Sequence, residues 1–237
     1  MMLSFGDDSS LAANLAEVRA RIDAACHAVG RDPAEVSLLP VSKTFGADAV
    51  RAALALGLRR FGENKVQEIR SKAQALSDCP VEWVVIGHLQ TNKAKDVARL
   101  ASEVQSLDRL ELADALHRRL QQEGRCIDVL VEVKTSPEES KHGLAPAELP
   151  ALLDALRGYD TLRVQGLMTM AVQSEHPDEV RACFRRLREL RDAAQARGHV
   201  LPRLSMGMSG DFPLAIAEGA TDIRVGTAIF GARHRIV

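Results

Sequence analysis

The stretch Leu38–Gly57, LLPVSKTFGADAVRAALALG, carries the pattern that decides the fold. A short aliphatic run ends on Lys43, the chain turns through TFGADA, and apolar residues then recur at three- and four-residue spacings until Gly57 stops them. This is one strand followed by one helix. Lys43 stands where they meet, either as a solvated group at the surface end of the strand or as an amine held there for its chemistry.

The same unit recurs outward from this stretch. VSLLPVS, LRRFG, VEWVVIG, EVQSLD, IDVLVEV, LRVQGLM, RLSMG and DIRVG read as strands, and amphipathic segments such as ENKVQEIRSKAQAL, RLELADALHRRLQQEG and PDEVRACFRRLRELRDAAQARG lie between them. Strict alternation predicts parallel strands joined by right-handed crossovers. Eight such units predict an α/β fold, a single (β/α)8 TIM barrel, with an additional N-terminal helix from about Leu11 to Val29. The alternative is a doubly wound open sheet, which normally carries a GxGxxG turn after its first strand where this chain has TFGADA. No linker, low-complexity tract or composition shift divides the sequence, so residues 1–237 are expected to form one barrel domain.

Hydrophobic residues make up 46% of the chain and charged residues 27%, with a formal net charge of -1 and both signs interspersed, as in LRRFGENKVQEIRSK. That leaves no basic face for nucleic acid. The N-terminus begins acidic and polar, unlike a signal peptide, and apolar runs stay well short of the roughly 20 residues of a membrane span. A cytoplasmic protein with neither nucleic acid nor membrane as partner is expected. Cys26, Cys79, Cys126 and Cys183 are scattered without a CxxC pair, which predicts reduced thiols, and the histidines show no metal-ligand spacing.

A barrel of this kind builds its site from the C-terminal ends of its strands and the loops that follow. At those places the sequence collects Lys43 in SKTF, Asn64 in GENK, the stretches GHLQTNK, EVKTSPEESKHG and MTMA, and the glycine-containing turns SMGMSGD and GTAIFGAR. Helix capping accounts for Ser209 and Asp211. It accounts poorly for a lysine directly after one strand and an arginine inside another. SMGMSGDF and VGTAIFGA place small residues, Ser209, Gly226 and Thr227 after strands seven and eight, where backbone N–H groups form an anion site in this architecture. Arg224 alternates with Ile223 and Val225. Facing inward, its guanidinium needs an acceptor, and a structural ion pair with a barrel carboxylate such as Glu132 is the competing explanation.

The segments LLPVSKTF, FGENKVQE, WVVIGHLQTNK, EESKHGL, GLMTMA, LSMGMSGDF and IRVGTAIFGAR run in order over nearly the whole chain. Together they resemble the YggS/PROSC family of pyridoxal 5'-phosphate (PLP) homeostasis proteins, itself similar in fold to the N-terminal barrel of alanine racemases, the fold-type III PLP-binding proteins. The resemblance implies PLP bound covalently as a Schiff base on Lys43, Arg224 at the pyridine nitrogen, Ser209, Gly226 and Thr227 on the phosphate, and Asn64 and Met168 beside the ring. It implies a monomeric binding protein that stores PLP or delivers it to PLP-dependent apoenzymes, without strong catalysis. One departure is VKTS, with Lys134, where family members often read VNxS. Lys134 and Lys141 are candidates for transient cofactor handling, against a solvated loop role for both.

The chemistry agrees with these residues. A partly desolvated amine loses its proton more readily and can attack an aldehyde, whereas an arginine at the pyridine nitrogen disfavours ring protonation and weakens carbanion stabilisation. Two enzymatic readings compete: an amino-acid racemase of the same fold type, and a class I aldolase using Lys43 without a cofactor. The aldolase has no need of Arg224 or of two phosphate turns. Two-base racemisation needs a second acid/base group, supplied in alanine racemase by a tyrosine of another domain, and the only tyrosine here, Tyr159 in LRGYDTLRV, is expected on the barrel face away from Lys43.

Overall fold

A computed structural model describes residues 8–138 and 142–231. In chain order its helices and strands are α1 (Asp8–His27), β1 (Ser37–Pro40), α2 (Ala47–Ala55), β2 (Arg60–Glu63), α3 (Val66–Ala75), β3 (Glu82–Val85), α4 (Ala94–Leu100), β4 (Ala101–Leu107) and α5 (Leu110–Glu123). There follow β5 (Ile127–Glu132), α6 (Leu149–Leu156), β6 (Leu162–Met168), α7 (Pro177–Ala196), β7 (Arg203–Ser205), α8 (Phe212–Ala217), β8 (Asp222–Val225) and α9 (Thr227–Phe230). The eight strands pair in the order β1-β8-β7-β6-β5-β4-β3-β2, and every ladder is parallel. The sequence predicted this barrel and its extra first helix. No described helix is long and apolar enough to cross a membrane, and the four cysteines are free thiols.

The barrel closes beside a proline, between β1 and β2. Ser37 and Val41 donate their N–H groups toward β8, to Thr221 and Val225, while Ser42 donates on the other side, to Gly62 of β2. Pro40 lies one pleat before Ser42 on that same side and has no N–H to give. The seam therefore reduces to the single bridge Val41↔Gly62, at the end of the barrel that carries Lys43.

Two boundaries differ from the pattern reading. Glu63, read as the start of a helical segment, instead ends β2, because it pairs in register with Val85 and buries its carboxylate. The fourth strand starts at Ala101 rather than Glu103, since α4 runs into it without a loop.

Strand residues are buried on both faces, as in Val129, Leu130 and Val131, each 0% exposed. The barrel interior, however, is strongly polar. Arg203 binds Glu103 at 2.9 Å and Asp222 at 2.6 Å, Gln105 Nε2 donates to Glu103 at 2.7 Å, Ser205 Oγ to Gln105 at 2.6 Å, and Arg224 Nη1 to Ser205 Oγ at 2.8 Å. Buried polar groups persist only when so partnered.

At Gly166 the β6 backbone lies so close to β7 that an added Cβ would stand 1.9 Å from the Arg203 carbonyl oxygen. Gly166→Ala is predicted to lower stability by about 3 kcal/mol. Gly158→Ala, where the nearest atom would be 3.6 Å away, should stay within about 0.5 kcal/mol of the parent in urea denaturation.

Candidate functional site

A cleft of about 530 Å³ opens at the C-terminal ends of the strands. Lys43, Asn64, Ser209, Arg224, Gly226 and Thr227 line it together, with Val41 and Ile86 as apolar wall. Met168, the seventh residue expected there, does not line the cleft. It is fully buried at the end of β6, level in the ladder with Glu132 and Ser205, and the methionines that line the cleft are Met170 and Met208. Lys134 is half-buried outside the lining, its N–H bonded to Leu144, and Lys141 lies outside the described residues.

The turn that carries Lys43 is tied on both sides. Thr44 has φ 71°, the one non-glycine residue among those described in the left-handed region, and a β-branched residue there is strained by about 1–3 kcal/mol. Its N–H donates to Glu68 of α3 at 2.8 Å. On the other side the Ser42 hydroxyl donates to Glu63 at 2.6 Å, and the Ser42 carbonyl accepts from Lys72 at 2.8 Å. Lys72 also pairs with Glu63, both buried, and lies 3.5 Å from Glu68. Burial pushes the Glu63 carboxyl up, while Lys72 and Ser42 pull it back. The sequence reading missed this support, although the Glu68/Lys72 spacing of one helical turn was its visible signal.

The glycine-containing turns sit side by side beneath α1. Gly207, with φ 95°, lets the backbone pass where a Cβ would come within 2.6 Å of Ala215. Beyond it, the N–H groups of Ser209 and Gly210 find no acceptor among the described residues, and the Thr227 hydroxyl lies 3.4 Å from that of Ser209. Capping does not explain this turn after all. Asp211 precedes α8 but turns its carboxylate back to the Met208 N–H, and no side chain caps that helix. The N-terminal helix holds both turns: Arg21 donates to Ser209 at 3.2 Å and stacks over Phe212, while Asn14 donates to Ile229 of α9 at 3.0 Å.

Arg224 faces inward and is 5% exposed. Its acceptors are Ser205 Oγ and, at 2.8 Å, the Thr169 carbonyl, so the structural ion pair with Glu132 is not what holds it. Two histidines were not assigned from sequence. His88 and His142 stack at the rim with centroids 4.4 Å apart, and His88 lies 3.5 Å from Asp108. Tyr159 precedes β6, at the opposite end of the barrel, and donates to Asp114.

The family model for the alanine racemase N-terminal domain matches residues 8–234. A pyridoxal phosphate homeostasis protein of Pseudomonas aeruginosa is 46% identical over 95% of this chain and 96% of its own, and one of Aquifex aeolicus is 44% identical over 92% and 96%. The chain belongs to this family. The structure of PipY from Synechococcus elongatus with PLP bound matches it with a TM-score of 0.83, at 38% identity, over 93% of this chain and all of PipY.

Within this family member the cleft holds one uncommitted acid. Glu132, at the end of β5, is 4% exposed, and its Oε2 has no hydrogen-bond partner among the described residues. Burial raises its carboxyl to about 7; the Asp108 charge adds to the rise and Arg224 opposes it. A folded-state value above the ordinary 4.5 of a glutamate means that its contribution to stability is complete below the unfolded value and is lost as pH rises through about 7. In the ligand-free protein Glu132→Gln is therefore predicted to be stabilising relative to the parent by roughly 3 kcal/mol more at pH 8 than at pH 4. Urea midpoints of both proteins across that range check it.

Proposed function

We propose that this chain is a PLP-binding protein of PLP homeostasis that holds the cofactor as a Schiff base on Lys43 and stores it, or delivers it to PLP-dependent apoenzymes. The observation that carries the reading is the convergence of Lys43, Arg224, Ser209 and Thr227 on one cleft, in a fold shared at 38% identity with a protein whose structure contains PLP. The residues fit that molecule: two uncommitted backbone donors and two hydroxyls for a phosphate, an apolar wall for a ring, and an amine for an aldehyde. In this reading the whole chain, residues 1–237, acts as one barrel domain, as a monomer in the cytoplasm.

When bound, the cofactor supplies an aldehyde and a conjugated ring that can accept electrons. Lys43 provides the amine, held by the Ser42 and Thr44 anchors. Ser209, Gly210, Gly226 and Thr227 would hold the phosphate, and Asn64 and Met170 would flank the ring. Arg224 would face the pyridine nitrogen and, as a cation, would disfavour its protonation. The site binds the cofactor without strongly activating it, which separates this reading from a racemase.

Borohydride reduction of the PLP-loaded protein, followed by peptide mapping, should find the cofactor mass on Lys43. Lys43→Ala with unchanged affinity and imine absorption refutes that attachment. Loaded protein incubated with L- and D-amino acids in deuterated water should exchange α-protons far more slowly than about 1 per second, the low end of ordinary turnover. Exchange at that rate or faster establishes the racemase instead.

A further inference from the structure

Almost every ionisable or strongly polar group around the cleft has a visible partner. Arg224 is held by Ser205 and Thr169, Asp211 by the Met208 N–H, Asp108 by Arg109 and His88, and Ser42 by Glu63. Among the described residues Glu63 and Glu132 each bury one carboxyl oxygen without a partner, and of the two only Glu132 lines the cleft. A buried carboxyl oxygen without a partner is rare in folded proteins and calls for an explanation, and this one lines the same cleft as Lys43 and Arg224.

Topology places Glu132 relative to a ligand. The phosphate-binding turns follow β7 and β8 and Lys43 follows β1, whereas the strand order puts β5 across the barrel from β1. In PLP the phosphate arm and the hydroxyl flank the aldehyde on either side, and the ring nitrogen lies opposite it. With the arm at β7 and β8 and the aldehyde at β1, the hydroxyl side of the ring would turn away from β8 toward the far strands, among them β5.

We propose that Glu132 contacts the ligand directly, donating a hydrogen bond as a neutral acid to the ring oxygen, since Arg224 faces the one lone pair of the pyridine nitrogen. The inference rests on the PLP reading and deepens it. An unprotonated ring with an ionised hydroxyl offers acceptors only, and Arg224 and neutral Glu132 are both donors to it. The upward shift of the Glu132 carboxyl agrees with the neutral form. The charged and titratable groups that face it are Arg224 on β8, Asp108 after β4, Lys43 after β1, His88 after β3 and His142 before α6, with Asp211 behind Arg224.

The test measures PLP affinity of the parent, Glu132→Gln and Glu132→Leu by equilibrium dialysis, with circular dichroism as a folding control. Glutamine is a permanent donor, so at pH 6 it should bind within about threefold of the parent, and leucine about tenfold more weakly. Between pH 6 and pH 8 the parent should lose up to about tenfold in affinity relative to Glu132→Gln, as its acid ionises. The 3-O-methyl ether of PLP, in which the ring oxygen is blocked, should bind independently of residue 132. A parent-to-glutamine ratio constant from pH 6 to pH 8 overturns the proposal even if the leucine variant does not fold. So does dependence on residue 132 that survives in the ether. A parent that binds no PLP overturns the functional reading and this proposal with it.

Discussion

A guanidinium buried in the mouth of a barrel must be hydrogen-bonded, and much of this structure follows from meeting that demand at Arg224. Its two acceptors come from different strands, Ser205 on β7 and the carbonyl of Thr169 after β6. Ser205 is in turn oriented by Gln105, Gln105 by Glu103, and Glu103 by Arg203 and Arg60. The Arg203 guanidinium also holds Asp222, two residues before Arg224 on the same strand. A polar spine thus runs from the far end of the barrel to the site, where most barrels of this class stack branched apolar layers. Leaving one member unpaired would strand a charge in a low-dielectric interior, so the whole set has one well-satisfied arrangement.

The two lysines near the first strands divide the work by burial. Lys72 is 6% exposed and fixed between Glu63, Glu68 and the Ser42 carbonyl, so its charge is committed to structure. Lys43 is half-buried and lines the cleft. The first lysine orients the second through the backbone of Ser42. Replacing it would leave Glu63 buried without a counter-ion, an outcome usually worse than having no ion pair at all.

Fold and site were legible in the sequence to different depths. Alternation of strand and helix was readable because each strand is short, apolar and followed by a helix with an unambiguous period. The cleft positions were readable because barrel topology sends the residue after each strand to the same end, which is how Lys43, Asn64 and Thr227 could be grouped before any coordinates. Glu63 was misplaced because a carboxylate reads as polar surface, and only the pairing with Lys72 and Ser42 makes it a buried strand residue. Met168 was set beside the ring by the family resemblance alone, and nothing in the strand pattern says at what depth its side chain stops. Glu132 was seen only as a partner for Arg224; that the arginine would find uncharged acceptors instead depends on where β6 and β7 end.

The satisfied and unsatisfied groups together describe a preorganised site. Ser42, Thr44 and Arg224 are held by protein partners, and α1 fixes both turns through Arg21 and Asn14. A ligand therefore need not order them, and little of its interaction energy is lost to rearrangement. What it meets instead are groups without a protein partner among the described residues: the accessible N–H groups of Ser209 and Gly210 on one side of the cleft and the buried Glu132 oxygen on another. Those are donors suited to an anion and an acid suited to an acceptor, so the unmet hydrogen bonds of the protein themselves describe a molecule with an anionic arm at one end and a ring acceptor away from it.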